Sequence, residues 1–266
     1  MCLVSTVFSS AVAAWSDDDA MFLGMAVATS IGRTADGLTV LNGIHHAVQV
    51  DTLPATQDLR IYTRWSGGGE HTIGVSLWSA DSEVTLAETA EDVDFGRDPI
   101  TYCAYDFPAM RFTKPGVYAV EVTLDGDTAA EYEFFVNAED QFPERPEFAL
   151  SVPAETGSVN DAGDASVSGI FEYFAFASFP TTDSFAIVSV WFSGDGQYQQ
   201  YTRILDPNGA AIAVSPPQTM SASHGEMSVM TDAFDGVVFN EPGTYTAVIY
   251  LDGQEVVAYP LAVIKG

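Results

Sequence analysis

One phrase is written twice in this chain. Residues 115–126 read PGVYAVEVTLDG and residues 242–253 read PGTYTAVIYLDG, with Pro, Gly, Tyr, Leu, Asp and Gly at the same places. Each is a turn, a strand and a second turn, and the closing Asp-Gly pair is what a tight β-hairpin asks for. Such a phrase specifies scaffold rather than chemistry, and it also serves as a ruler. Sliding the chain on itself by 126 residues puts Gly43-Ile44 on Gly169-Ile170, Pro54 on Pro180, Ile61 on Ile187 and Trp65 on Trp191. Beyond the glycine-rich turn that follows the tryptophan the offset becomes 127, and the two phrases fall into register. One residue inserted in a loop is tolerated, whereas a slip inside a strand would turn every side chain to the wrong face.

The chain is therefore a duplication of one domain, too long in period for a solenoid. The expected organisation is an N-terminal extension over residues 1–20, a first domain over 21–138, a linker over 139–147 and a second domain over 148–266. The prolines and charges of NAEDQFPERP (137–146) mark the junction. Within each copy the apolar residues alternate. Leu59, Ile61, Thr63 and Trp65 face one way and Arg60, Tyr62 and Arg64 the other; Tyr118, Val120, Val122 and Leu124 alternate with Ala119, Glu121 and Thr123. Turn signals such as SGGGE, SGDGQ, DPNG and LDG recur at short intervals. The expected fold is all-β: two tandem β-sandwich, jelly-roll-like domains. A short helix is placed near Ala11 to Ala14 or across residues 20–28.

The copies differ on the outward face. Where the first has Arg60, Tyr62 and Arg64, the second has Ala186, Val188 and Val190; Glu121 and Thr123 become Val248 and Tyr250. The first copy thus reads as solvated on that face and the second as apolar, and a contiguous apolar patch is usually covered. Either the second copy is packed on both faces within its own fold, or the cover is the apolar extension, with Val4, Val7, Phe8, Val12 and Trp15, in the same chain or a neighbouring one. Val188, Val190, Val248 and Tyr250, with Val7, Phe8 and Trp15, form the candidate interface.

The order of these features resembles a bacterial family of small all-β domains of unknown function. The first copy carries an Asp36-Gly37 turn, LNGIHH, the LPAT turn, RWSGGGEHTIGVSLWSAD and the PGVY–LDG hairpin. The second carries SGIFEY, SFPTT, WFSGDGQYQQYTRILDPNG and LDGQEVV. The family is typically one domain long, with Gly-Ile-Phe, Phe-Pro and Leu-Asp-Gly motifs, so the tandem and the extension are departures. The resemblance implies a β-sandwich and no activity.

Chemistry is sparsely signalled. With 37 Asp plus Glu against 9 Lys plus Arg, the formal charge is −28, which repels phosphate backbones and anionic membranes. No nucleic-acid partner and no membrane insertion is expected; residues 2–15 are too short to span a bilayer and lack the positive flank of an export signal. Synthesis in the cytoplasm, with a place in a virion or other assembly, is the expected setting. Cys2 and Cys103 make no disulfide framework, and the apolar setting of Cys103 favours an inert thiol. His45 and His46, adjacent in a strand, point to opposite faces and do not share a metal easily. His71 corresponds to Tyr198, and His224 is isolated. No G-x-S-x-G elbow is present, and Gly67–Gly69 lacks the Lys-Ser/Thr ending of a phosphate loop.

The acidic loops are the remaining candidates. Asp17–Asp19, Asp161, Asp164, Asp195 and Asp206 are calcium-type oxygen donors, although Asp, Asn and Gly are also what tight turns require. The sequence is thus read as a non-enzymatic structural or interaction protein, a subunit of a larger assembly such as a virion, filament or surface layer, partnered by itself or by other subunits. The alternative is a soluble calcium- or carbohydrate-binding module using Asp161, Asp164 and Asp195, or Trp78, Tyr198 and Tyr201.

Overall fold

The structure is a computed structural model that describes residues 20–80, 82, 84–96 and 100–266. Among them the regular structure is strand, apart from one turn of 3-10 helix at Glu139–Gln141. The first copy supplies β1 (Met21–Arg33), β2 (Thr39–Ile44), β3 (Ala47–Val48), β4 (Ala55–Ser66), β5 (Glu70–Ser79), β6 (Val84–Asp94), β7 (Ile100–Phe112), β8 (Gly116–Leu124) and β9 (Asp127–Val136). The second supplies β10 (Glu147–Pro153), β11 (Thr156–Val159), β12 (Ala165–Ile170), β13 (Tyr173–Phe176), β14 (Thr181–Phe192), β15 (Gly196–Leu205), β16 (Ala211–Val214), β17 (Gln218–Ala222), β18 (Met227–Phe239), β19 (Gly243–Leu251) and β20 (Gln254–Lys265). The long β1 has two successive counterparts, β10 and β11, separated at Ala154-Glu155, just after Pro153, which has no N–H to give to a ladder.

Each copy is a two-sheet sandwich. In the first, β2-β1-β4-β7 packs on β3-β9-β8-β5-β6; in the second, β10-β14-β18 packs on β13-β20-β19-β15-β16, with β17 also paired to β15. The segment placed as a possible helix at 20–28 is instead strand β1. Met25 to Ala28 are buried on both faces, a pattern that a doubly covered strand and a buried helix share in sequence.

The repeated phrase performs the same two tasks in both copies. Tyr118 donates its hydroxyl hydrogen to the carbonyl of Lys114 (2.9 Å), and Tyr245 to that of Glu241 (3.0 Å), closing the corner that leads into the strand. At the far end Asp125 (φ 52°) and Gly126 (φ 90°), and likewise Asp252 (φ 50°) and Gly253 (φ 76°), hold the two positive-φ places of a hairpin turn. Each aspartate then clamps the neighbouring strand. Asp125 donates its backbone N–H to Thr72 O and accepts from Thr72 N, both at 2.8 Å; Asp252 does the same with Gln199, again at 2.8 Å.

The sandwiches are not beads on a string. β12 pairs with β2, making one six-stranded sheet, β11-β12-β2-β1-β4-β7, that crosses from one copy to the other. The pairing is antiparallel and joins Thr39 to Ile170, Leu41 to Val167 and Ile44 to Ala165. With the offset of 126, Thr39 corresponds to Ala165, Leu41 to Val167 and Ile44 to Ile170. The first and third of these pairs map onto each other and the middle one onto itself, so the copies are related by a local two-fold through Leu41 and Val167. Equivalent edges that would otherwise be open cap each other.

This sheet also packs face to face on β10-β14-β18. Ala26, Ala28, Leu41 and Tyr62 share a buried cluster with Leu150, Val152, Val188, Val190 and Phe192, between the separate cores of the two sandwiches. The sheets therefore stack in four layers with three apolar seams. Two sequence expectations are corrected here. Val188 and Val190 are covered by the six-stranded sheet, with Gly157 of β11 lying directly over Val188; the proposed cover residues Val7, Phe8 and Trp15 lie outside the described residues. The face of the first copy read as solvated is the other half of the same seam: Tyr62 and Arg64 are 0% and 1% exposed, while Arg60 stays half-exposed, paired with Asp106 at 2.8 Å.

Arg64 ties the copies together electrostatically. Its Nε donates to Glu172 at 2.9 Å, Tyr62 donates to the same carboxylate at 3.3 Å, and its guanidinium lies 5.7 Å from the ring of Tyr259. The counterparts of Arg64 and Glu172 are Val190 and His46, so the two-fold is broken at this ion pair. Removing one partner of a buried pair leaves a charge without compensation. Arg64→Ala should lower unfolding stability by about 3 kcal/mol in urea titration, whereas replacing both partners (Arg64→Met with Glu172→Leu) should recover most of that loss.

Candidate functional site

The histidines serve locally. His45 is buried, with Nδ1 2.8 Å from Gly43 O, and burial favours its neutral form. His46 stacks on Phe192 (centroids 4.6 Å apart), and its Nδ1 meets Tyr132 Oη at 2.6 Å, with Glu147 3.4 Å from Nε2. His224 Nε2 lies 3.0 Å from Glu139 O. His71 sits at the first-copy hairpin, with Nδ1 2.8 Å from Asp125 Oδ2 and Nε2 3.0 Å from Gly68 O. These four do not converge, and among the described residues no group of three or more His, Cys, Asp or Glu is arranged to hold a metal ion. Cys103 is buried, and desolvation pushes its thiol up to about 11.

The calcium-type loops of the second copy are organised as turns, and Asp17–Asp19 lie outside the described residues. Asn160 Oδ1 accepts from the backbone of Ala162 (2.8 Å) and Asp164 (3.0 Å), and Asn160 Nδ2 reaches Asp164 at 3.4 Å. Asp206 Oδ1 accepts from Asn208 N and Ala210 N at 2.9 and 2.8 Å. Asp161 is exposed, and Asp195 offers its backbone carbonyl to Tyr198 Oη at 3.1 Å. The aromatic residues weighed for sugar binding divide between the copies: Trp78 is on β5, Tyr198 and Tyr201 on β15. Tyr201 instead stacks on Tyr250 (4.7 Å, 5° between planes), with Arg203 4.9 Å above the Tyr250 ring. Val248, beside that stack, is buried, so of the candidate interface residues only Tyr250 remains partly open among those described.

Two features went unread in the sequence. One is a sealed carboxylate in the second core. Asp232 accepts from Gln200 Nε2 (2.9 Å), Thr202 Oγ1 (2.5 Å), Ser215 Oγ (3.0 Å) and Gln218 Nε2 (2.9 Å), and Gln200 in turn accepts from Trp191 Nε1 at 2.6 Å. The first copy has Tyr105, Ile73 and Val75 at the places of Asp232, Gln200 and Thr202. Such a satisfied network rigidifies a core, and at 0% exposure it reaches no substrate.

The other is a groove of about 570 Å³ at one end of the second copy, within the size range of ligand sites. Its floor is an aromatic cluster in which Phe174 contacts Phe171 (5.1 Å), Phe185 (4.8 Å) and Phe239 (5.4 Å), and Phe185 stacks on Phe234 (5.2 Å). Tyr173 and Phe176 line one side; Glu155, Asp183 and Asp235 add carboxylates. Among the described residues both flanking strands present an unpaired edge: β13 pairs only with β20, and along Thr181–Phe185 β14 pairs only with β18, because β10 joins it first at Ile187. The first copy has the same strand arrangement but different chemistry: Ala47, Val50, Gln57 and Leu59 occupy the places of Tyr173, Phe176, Asp183 and Phe185. A second concavity, at Gln49–Asp51 and Asn137–Asp140, is polar and lies beside the Asn137 clamp on Val50.

The sequence model of a family of unknown function, DUF6941, matches twice, over residues 24–137 and 154–264. These matches take in most of the chain, which therefore belongs to that family as a tandem of two repeats. No curated protein matches. Among solved structures, a β-glucosidase from Listeria innocua in complex with glucose is 12% identical, with a TM-score of 0.28 over 44% of this chain and 16% of that one. A glycosyl hydrolase family 2 member from Bacteroides cellulosilyticus is also 12% identical, with a TM-score of 0.30 over 77% of this chain and 28% of that one. The chain spans less than a third of the length of these structures, and likeness at this level carries no argument about activity. Among the described residues no helix is long and apolar enough to cross a membrane.

His71 offers a direct check of the hairpin clamp. The hydrogen bond to Asp125 raises its pKa above the usual 6.5, and the same bond lowers that of Asp125 below 3.8. The stabilisation from His71 is complete below 6.5 and fades as pH rises through its raised pKa. That from Asp125 is complete above 3.8 and fades as pH falls through its lowered pKa. NMR titration should place His71 above 6.5 in the native chain and return it towards 6.5 in Asp125→Asn.

Proposed function

We propose that this member of the DUF6941 family is a non-enzymatic structural or interaction protein that works as a subunit of a larger assembly, such as a virion, filament or surface layer. The observation that carries the reading is the groove of the second copy. It combines aromatic side chains with two strand edges that are unpaired among the described residues, and open edges are how sheets take up extended segments of other chains. It is also where the duplicated domains have parted in chemistry while keeping one strand arrangement. The four-layer stack supports the reading, because a docking surface is more precise on a rigid scaffold. The finer family likeness, to small bacterial domains with Gly-Ile-Phe, Phe-Pro and Leu-Asp-Gly motifs, forms part of this proposal, as does synthesis in the cytoplasm.

The rival reading, a calcium- or carbohydrate-binding module, makes a different demand. It requires added calcium or glycan to raise the melting temperature of chelator-treated protein. On the assembly reading, light scattering across a concentration series should show mass growing with concentration, and a chain lacking residues 1–20 should assemble less. A strictly monomeric protein indifferent to loss of those residues would sink the assembly proposal.

A further inference from the structure

We infer that the groove of the second copy is a strand-docking site for an extended, cationic and apolar segment of a partner protein. The inference rests on the interaction reading above and names the partner's chemistry. Backbone geometry sets the shape of the occupant. Among the described residues Tyr173–Phe176 and Thr181–Phe185 each have one ladder partner and one open edge, and both border the same groove. Open edges offer N–H and C=O groups in the spacing of a strand, so the complementary ligand is itself extended.

Side chains set its composition. Alternate residues of a strand point to opposite faces, so an added strand turns one row of side chains towards the rings of Phe176 and Phe185 and the other row towards the face of β13 that carries the exposed Tyr173. Apolar side chains suit that row. Glu155, Asp183 and Asp235 make the lining acidic, none of the lining residues is Lys or Arg, and the whole chain carries a formal charge of −28. Lysine or arginine on the occupant matches this field, and an acidic occupant is repelled. Asp183 is already oriented, accepting from Ser184 N at 2.9 Å.

Divergence between the copies singles out this end of the second domain. Thr29, Ala47, Val50, Gln57, Leu59 and Pro108 stand in the first copy where Glu155, Tyr173, Phe176, Asp183, Phe185 and Asp235 stand in the second. All three carboxylates and all three rings of the docking surface are thus particular to the second copy. The first copy keeps the open edges, and its uncharged, non-aromatic counterparts mark them as a feature of the scaffold alone.

The test is fluorescence anisotropy of the full chain against a labelled peptide of roughly eight alternating lysines and leucines, long enough to run along both edges, at physiological salt. Three control peptides accompany it: glutamate in place of lysine, alternate backbone N-methylation, and residues 3–14 of this chain. The lysine peptide should bind, and its affinity should fall by about tenfold or more on N-methylation and in the Asp183→Asn, Asp235→Asn double variant. Tyr173→Ala, at an exposed position, should weaken binding without disturbing the fold. Undiminished binding of the N-methylated peptide, or by the groove variants, would mean adsorption to an acidic surface and overturn the inference. So would no binding, or a preference for residues 3–14, which would assign the groove to the chain's own extension. Failure here with concentration-dependent assembly intact refutes the docking site alone; binding by a strictly monomeric protein refutes the assembly reading alone.

Discussion

The pairing of β2 with β12 is the contact on which the rest of the architecture depends. β2 borders the first sandwich and β12 the β11-β12 hairpin of the second copy, and an uncovered border is a row of unpaired backbone groups open to any other strand. Joining the two in antiparallel register about Leu41 and Val167 satisfies both at once. It also brings the outer face of β1 and β4 over the outer face of β10 and β14. The middle seam follows, with Tyr62, Val188, Val190 and Phe192 in a single buried cluster. β4 from Ile61 to Ser66 and β14 from Ile187 to Phe192 are then buried on both faces, a condition that an isolated sandwich does not impose on its strands.

That double burial explains which parts of the molecule the sequence discloses. The duplication, the strand alternation and the repeated turn phrase were legible because they are local: Tyr118 and Tyr245 close the same corner, and Asp125 and Asp252 make the same clamp. The seam was legible from one side only. Val188 and Val190 announce a face that needs cover, but Arg60, Tyr62 and Arg64 read as solvated because long polar side chains are usually exposed. Arg64 is buried because Glu172, 108 residues away, supplies its counter-charge, and no periodicity carries that information. The groove was hidden for a related reason. Its rings read as ordinary strand fillers, and the open edges beside them depend on where β10 stops pairing, which is a property of register.

Divergence after duplication follows the geometry. At the two-fold itself the residues stay apolar in both copies, since either side must satisfy the same packing. Away from it, equivalent positions face different surroundings and have changed. The Arg64–Glu172 pair has Val190 and His46 at its mirror positions, and the Asp232 network has replaced Tyr105, Ile73 and Val75. Both changes put polar groups into buried places, where satisfied hydrogen bonds add specificity of arrangement more readily than net stability. Their effect is to make two copies of one domain inequivalent, so that they associate in one relative placement.

The same reasoning bears on why the docking surface belongs to the second copy. A sheet edge is a hazard when flat and apolar, and natural edges are commonly guarded by charge. At the second copy's groove the guards are carboxylates, which exclude the chain's own predominantly acidic surface and other acidic strands while admitting cationic ones. A single device thus gives protection and selectivity: Asp183 and Asp235 discourage indiscriminate edge pairing, and the rings of Tyr173, Phe176 and Phe185 reward the strand that is admitted. In the first copy, Gln57 and Leu59 supply neither charge nor ring, so the same backbone frame lacks the means to discriminate between strands.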